Sequence, residues 1–474
     1  MKRGPRPNLE SMNPFQRSIS FSVILTASAI VAVALLAGCV GMRTQGEKRA
    51  RQDQELIGQV YRPGGERPAL PKLDTDAPLH DFLLFAMLNR PQVEAAYFDW
   101  VASVRRITVE RSLPEPRLTF QSDIADMVMS LMPGLMMDFP GPGKLRAAAN
   151  VATAESEARY FAFESSVVQT AFAFRKVYYE LKFLDAKIDV SHETLRLLGE
   201  LEKLALIQNE VGKVTLQDVL RARIEQERLT TDIANLDDSR QPLLAQLKAS
   251  LGLKAEDAPP PVPHELETTP LDLTAEMLWA TALARNPRLK TMEAEVRLAE
   301  ASLRLATKAN VPDFSAGIEA DVKAYPVMVR PSVGVALPIW RDKIAAQIAA
   351  AQADKRAAEA RLSAEQISVA VELAEKSFMF REASRNLELL HERLLSMARQ
   401  SLEVAQAGYV GGKVDFLNVI DAERTLLDFQ LSEIEARLQR ELVLAELSLI
   451  IIGVAPANAP VLPPDATPAK ESEP

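Results

Sequence analysis

Chemistry-bearing side chains are scarce in this chain. Its 474 residues include one cysteine and four histidines, His80, His192, His264 and His391. So few leave little room for thiol or imidazole-held metal chemistry. There is no glycine-rich phosphate loop and no His-Glu-x-x-His pair. No catalytic residue and no cofactor is expected, and the chain does not read as an enzyme. Beyond residue 38, no stretch holds about 18 consecutive apolar residues, so no bilayer-spanning helix is expected. Basic charge is also short, with 55 Lys and Arg against 64 Asp and Glu. That balance disfavours nucleic acid as a partner.

The single cysteine is informative. Lys2, Arg3, Arg6 and Arg17 precede an apolar run from Phe21 to Ala37, which ends in Leu36-Ala37-Gly38-Cys39. A basic start, a short apolar stretch and small residues at its end make a secretory signal. Residues 1–38 therefore read as a signal peptide. The last four residues resemble a bacterial lipobox, which implies a covalent lipid at Cys39. Val40 follows rather than Asp, so nothing argues for inner-membrane retention. Residues 39–76 are polar with scattered Pro and Gly and read as a lipidated, irregular leader.

The body repeats itself, which governs any fold reading. Pro91 matches Pro287, Phe139-Pro140 matches Leu337-Pro338, Lys144 matches Lys343, and Gly212 matches Gly412. The offset grows slowly in one direction, as in a duplication with small insertions. Repeat 1 covers 77–252 and repeat 2 covers 273–453. A Pro-rich linker, 253–272, separates them, and 454–474 reads as a disordered tail.

Each repeat has one plan. A short helix (about 79–89; 274–285) meets a proline that opens a second helix (about 91–112; 287–310). Then the period changes to two. Phe314, Ala316, Ile318, Ala320 and Val322 alternate with Ser315, Gly317, Glu319 and Asp321. Val327, Val329, Val333, Val335 and Leu337 alternate in the same way after Ala324-Tyr325-Pro326. Strict alternation marks half-buried strands, so each repeat supplies a β-hairpin. The first hairpin is fuzzier, with Leu118, Phe120, Ser122 and Ile124 on one face.

Very long helices follow, about 143–210 and 342–409, rich in strong helix formers. Leu387, Leu390, Leu394 and Met397 show coiled-coil spacing. A returning helix runs over about 215–251 and 415–452. Between the long and the returning helix lies the most specific shared stretch. Val211-Gly212-Lys213-Val214 matches Gly411-Gly412-Lys413-Val414, with Val219 and Ala222 matching Val419 and Ala422. Gly reaches φ > 0 without steric cost, so each copy reads as the tip of a helical hairpin.

Four strands are too few to close a barrel with a lumen, and an open edge does not face lipid. Yet one apolar and one polar or small face per strand is the pattern of a transmembrane barrel wall. Several subunits together resolve the conflict, since three copies bring twelve strands. Tyr325 and Trp340 are candidates for an interfacial aromatic belt.

At this point the sequence resembles the TolC-like outer-membrane factors of Gram-negative efflux systems, in their lipidated branch. The resemblance rests on Ala407-Gly408-Tyr409, Gly412-Lys413, Val419-Ile420-Asp421-Ala422, Asn286-Pro287 and the duplicated plan. It implies a mainly α fold with a small β part. It implies a homotrimer with a twelve-stranded β-barrel in the outer membrane, continuing into an α-helical barrel across the periplasm. As partners it implies a periplasmic adaptor and an inner-membrane pump, and as function a passive export duct opened on docking. Residues 211–214 and 411–414 are then adaptor-docking tips. A family constriction past the second tip falls on Asn418 and Asp421. Only Asp421 is acidic, so a charged gate is weaker than the family pattern.

Met127, Met129, Met132, Met136 and Met137 invite a soft-metal reading, since thioethers suit copper or silver. Residues 139–144, Phe-Pro-Gly-Pro-Gly-Lys, look like those of heavy-metal efflux members. The plainer reading of the methionines is apolar filler, so no metal site is expected and metal export stays an alternative. A periplasmic adaptor and a structural coiled-coil lipoprotein are further alternatives. An adaptor should have one helical hairpin flanked by Gly-rich β-domains.

Overall fold

Prolines and alternation set the element boundaries. The computed structural model describes residues 43–124, 128–263 and 275–463, with backbone alone for 124, 128, 129 and 275–277. The signal peptide, Cys39 and Met127 lie outside the described residues, as do 264–272 of the linker and 464–474 of the tail. Pro91 and Pro287 each start a helix, where a missing N–H costs nothing.

The elements in order are α1 (Gln45–Tyr61), α2 (Leu79–Asn89), α3 (Pro91–Arg111), β1 (Arg117–Ile124), β2 (Val128–Phe139), α4 (Lys144–Glu210) and α5 (Leu216–Ser250). The second repeat gives α6 (Ala275–Arg285), α7 (Pro287–Thr307), β3 (Asp313–Asp321), β4 (Met328–Ala336), α8 (Arg341–Leu389), α9 (Leu395–Val410) and α10 (Phe416–Ala445). A π-turn, Leu390–Leu394, joins α8 to α9, and another, Glu446–Ile451, ends α10.

Packing divides the chain into two units. The first takes the described residues of 43–49, 104–153 and 300–353. It holds an antiparallel sheet in the order β1-β2-β3-β4, so both hairpins form one sheet. The hairpins meet at β2 and β3, with Leu135 opposite Ile318 and Phe139 opposite Phe314. Asp313 secures the start of β3. Its Oδ1 accepts the Gly141 N–H and the Lys144 ammonium, each at 2.7 Å. Gly141 lies so close to the Pro312 carbonyl that a Cβ there would sit 2.3 Å from the oxygen.

The second unit takes the described residues of 50–103, 154–299 and 354–463. Within it each repeat closes on itself through an asparagine. The Asn89 amide donates to the Leu251 carbonyl at the end of α5, at 2.9 Å. The Asn286 amide donates to the Ile451 carbonyl at the end of the second returning helix, also at 2.9 Å.

Three expectations are corrected. The leader is not irregular throughout, because Gln45–Tyr61 is helical. A buried Arg111–Glu47 pair at 2.8 Å holds one end of α1, and Ile57 and Tyr61 are buried near the other. Two apolar anchors in a polar run give too weak a periodicity to read. The first part of the tail also packs: Pro460 is buried and the Leu462 N–H donates to the Tyr160 hydroxyl at 2.9 Å. Finally, the coiled-coil register at 387–397 slips. The π-turn inserts one residue, so Leu390 is followed in the core by Leu395, Ala398 and Leu402, while Met397 is 54% exposed.

Candidate pore wall and hairpin tips

The sheet's two faces differ sharply. Register places Leu118, Leu135, Ile318 and Pro331 across one row, and Met137, Ala316 and Val333 across another. Apart from Ser122 this face is apolar, and it is largely exposed; Leu118, Phe120 and Val333 are all more than 70% exposed. The opposite face carries Arg117, Thr119, Gln121, Ser130, Asp138, Ser315, Glu319, Arg330 and Ser332, with Gly134, Gly317 and Gly334 between them. β1 and β4 are the edges, with no strand beyond either among the described residues. Tyr325 and Trp340 are exposed.

Among the candidate methionines, Met132 and Met136 lie on the polar face and Met137 on the apolar one. These three therefore do not share one face of the sheet. No group of three or more His, Cys, Asp or Glu residues is placed to hold a metal among the described residues. No helix among them is long and apolar enough to cross a membrane.

At the tips, glycine does what its spacing predicts. Gly212 and Gly412 have φ of +70° and +67°. In the first, Gly212 N–H donates to Asn209 O and Lys213 N–H to Gln208 O, both at 2.9 Å. In the second, Gly412 donates to Tyr409 O at 3.0 Å and Lys413 to Gly408 O at 2.9 Å. This pair of bonds, with Gly in the left-handed position, is the Schellman stop of a helix. Val211, Gly212, Lys213, Gly411, Gly412 and Lys413 are exposed, and Val214 and Val414 half-buried.

Both hairpins share one core. It joins Leu198, Leu201 and Ala205 of α4, Val219 and Ala222 of α5, Leu402 and Tyr409 of α9, and Phe416, Val419, Ile420 and Ala422 of α10. Asn418 and Asp421 are exposed on α10, turned away from this core. The Tyr409 hydroxyl is buried without a partner; burial, then the nearby Asp218 carboxylate, pushes it up to about 12. Sequence reasoning missed one notable group here. Glu423 is 2% exposed. Burial, then the Glu193 charge, pushes its carboxyl up to about 7.

The model of the outer membrane efflux protein family matches residues 86–253 and 278–451, one match to each repeat. The chain belongs to the outer membrane efflux protein family. That family consists of channels rather than enzymes, and its members are found in the outer membrane of Gram-negative bacteria. Two hairpins and a single shared sheet do not fit the adaptor plan, and family membership removes the reading as a purely structural lipoprotein. The chain is 28% identical over 218 residues to the cobalt-zinc-cadmium resistance protein CzcC of Cupriavidus metallidurans. That match covers 45% of this chain and about half of the relative, 51%. In fold it is similar to the outer membrane protein VceC of Vibrio cholerae (TM-score 0.66, 19% identity, 80% of this chain and 96% of that one). It is also similar to a membrane protein from Pseudomonas aeruginosa (TM-score 0.70, 18% identity, 81% and 96%).

Proposed function

We propose that this efflux protein is the outer-membrane duct of a tripartite export system, active as a homotrimer. One observation carries the reading: a four-stranded sheet with an exposed apolar face, a polar face and two open edges. Such a sheet is unstable alone, in water or in lipid. Closing it edge to edge with two further copies gives twelve strands, lipid on the apolar side and a wet lumen on the polar side.

The helical hairpins support the same ring. On α10, Phe416 and Ile420 pack into the shared core, and Arg424 reaches α5. The matching face of α5, at Leu216, Leu220 and Ile224, is about half exposed or more. The internal repeat thus supports one partner for that face: the second hairpin of a neighbouring copy, in a head-to-tail contact that closes into a ring. The lipid on Cys39 anchors each subunit to the membrane. Tips 211–214 and 411–414 meet the adaptor and pump, and Asn418 with Asp421 narrows the lumen just behind them. Three Asp421 carboxylates around an axis attract cations.

The similarity to CzcC favours divalent metal ions as cargo, ahead of detergents or drugs. The polar sheet face carries Asp123, Asp138, Glu319 and Asp321, oxygen donors suited to transient cation contacts. Resistance profiling of a deletion strain tests both levels. Sensitivity to cobalt, zinc and cadmium supports the metal cargo. Sensitivity to drugs or detergents alone keeps the duct and rejects that cargo. Unchanged tolerance and unchanged cellular accumulation of every compound argue against the duct itself.

A further inference from the structure

Glu423 is buried on the stretch of α10 that gives Val419, Ala422 and Leu426 to the core binding the two hairpins together. Its Oε2 is buried and has no hydrogen-bond partner. Buried carboxylates ordinarily pair with a cation or a donor. The charge that bears on Glu423 is of its own sign: Glu193 on α4. That residue is itself held by Arg196, through bonds of 2.9 and 2.6 Å.

The first repeat solves the same position differently. Arg223 matches Glu423, and it donates to Glu202 at 2.6 Å. The residue matching Glu202 is Leu402, a core residue. Repeat 2 therefore has a lone carboxylate where repeat 1 has a solvated ion pair. The cations on the surrounding helices are engaged or exposed. On α4, Arg196 binds Glu193 and Glu200. On α5, Arg223 binds Glu202. On α9, Arg399 and Glu403 are exposed. On α10 itself, Arg424 binds Glu225 and Asp421 and Asp428 are exposed.

We propose that Glu423 is a proton-operated latch between the two helical hairpins. Protonated, it packs in the shared core and holds α10 against α4 and α5. Ionised, it draws in water and loosens the start of α10, the segment that carries Asn418 and Asp421. Burial and the neighbouring Glu193 keep the proton on to about pH 7. The packing change needs nothing beyond this geometry; its effect on flow rests on the constriction reading above.

Hydrogen exchange on the full-length protein, purified in detergent, tests the latch. Rates are corrected for the intrinsic pH dependence of exchange. Amides of 416–430 open about tenfold more readily, or better, at about pH 7.5 than at about pH 5. Glu423→Gln keeps the side chain's shape and removes its charge, and it shows the same protection at both. Glu193→Gln moves the wild-type transition to lower pH. A wild-type protein with equal protection at both, or a Glu423→Gln protein that keeps the difference, overturns the latch. Conductance recorded alongside separates the two readings. An exchange transition with no matching rise in open probability retains the latch and rejects the constriction at Asn418 and Asp421.

Discussion

Arg424 of α10 donates two hydrogen bonds to the Glu225 carboxylate of α5, one of them at 3.1 Å. The pair ties the returning helix of the second hairpin to that of the first. The Glu225 side chain is 14% exposed and that of Arg424 about half exposed. Two parallel bonds put such a pair near the upper end of the surface range, about 1 kcal/mol.

Arg424→Ala therefore loosens the paired hairpins without unfolding them. The expected result is a rise in single-channel open probability of about fivefold, following from about 1 kcal/mol. Glu225→Gln gives a smaller rise in the same direction. Planar bilayer recordings of each variant against wild type measure it.

The two sheet faces predict opposite tolerance to charge. Val333→Glu puts a carboxylate on the apolar face, in a setting where charged side chains cost up to about 2–4 kcal/mol and acids less than bases. Ser332→Glu, one residue away, puts the same group on the polar face. The first should deplete the protein from the outer-membrane fraction and the second should leave it there. Fractionation followed by immunoblotting distinguishes them.

Gly141→Ala tests the junction between the hairpin and α4. The added methyl meets the Pro312 carbonyl, so the chain around Asp313 must move. Overpacking of this kind costs about 1–3 kcal/mol. The yield of folded, membrane-inserted protein should fall, and Lys144→Ala, which removes the cation from Asp313, should lower it less.

Glu423 makes stability depend on pH with a definite sign. Its folded carboxyl holds a proton more tightly than an ordinary carboxylate does, up to about pH 7. The native state thus binds more protons than the unfolded one across that interval. Stability is undiminished below the ordinary carboxylate range, falls as pH rises toward 7, and levels off above it. The loss is about 3 kcal/mol. Glu423→Gln should therefore raise the denaturation midpoint of the helical unit above pH 7 and leave it unchanged near about pH 4. Denaturant titrations followed by circular dichroism at both pH values check this.

Much of the architecture was legible because the chain states it twice. Gly212 and Gly412, Asn286-Pro287 and the alternation of Phe314 to Asp321 each carry a local rule strong enough to read alone. What escaped reading depends on tertiary contacts. α1 is helical through the Glu47–Arg111 pair and the burial of Tyr61, neither visible as periodicity. The π-turn at Leu390–Leu394 shifts the core from Leu394 to Leu395, and no residue type announces it. Nothing in the residues around Glu423 marks it as buried. Only the packing of two hairpins separated by 200 positions in sequence, as Gly212 is from Gly412, turns it inward.

The most direct measurement is conductance of the purified protein in planar lipid bilayers. Three four-stranded sheets closed into one wall predict discrete, cation-preferring current steps, lost when residues 313–339 are deleted. Assembled protein that passes no current at any voltage or pH, or steps that survive that deletion, would contradict the shared barrel.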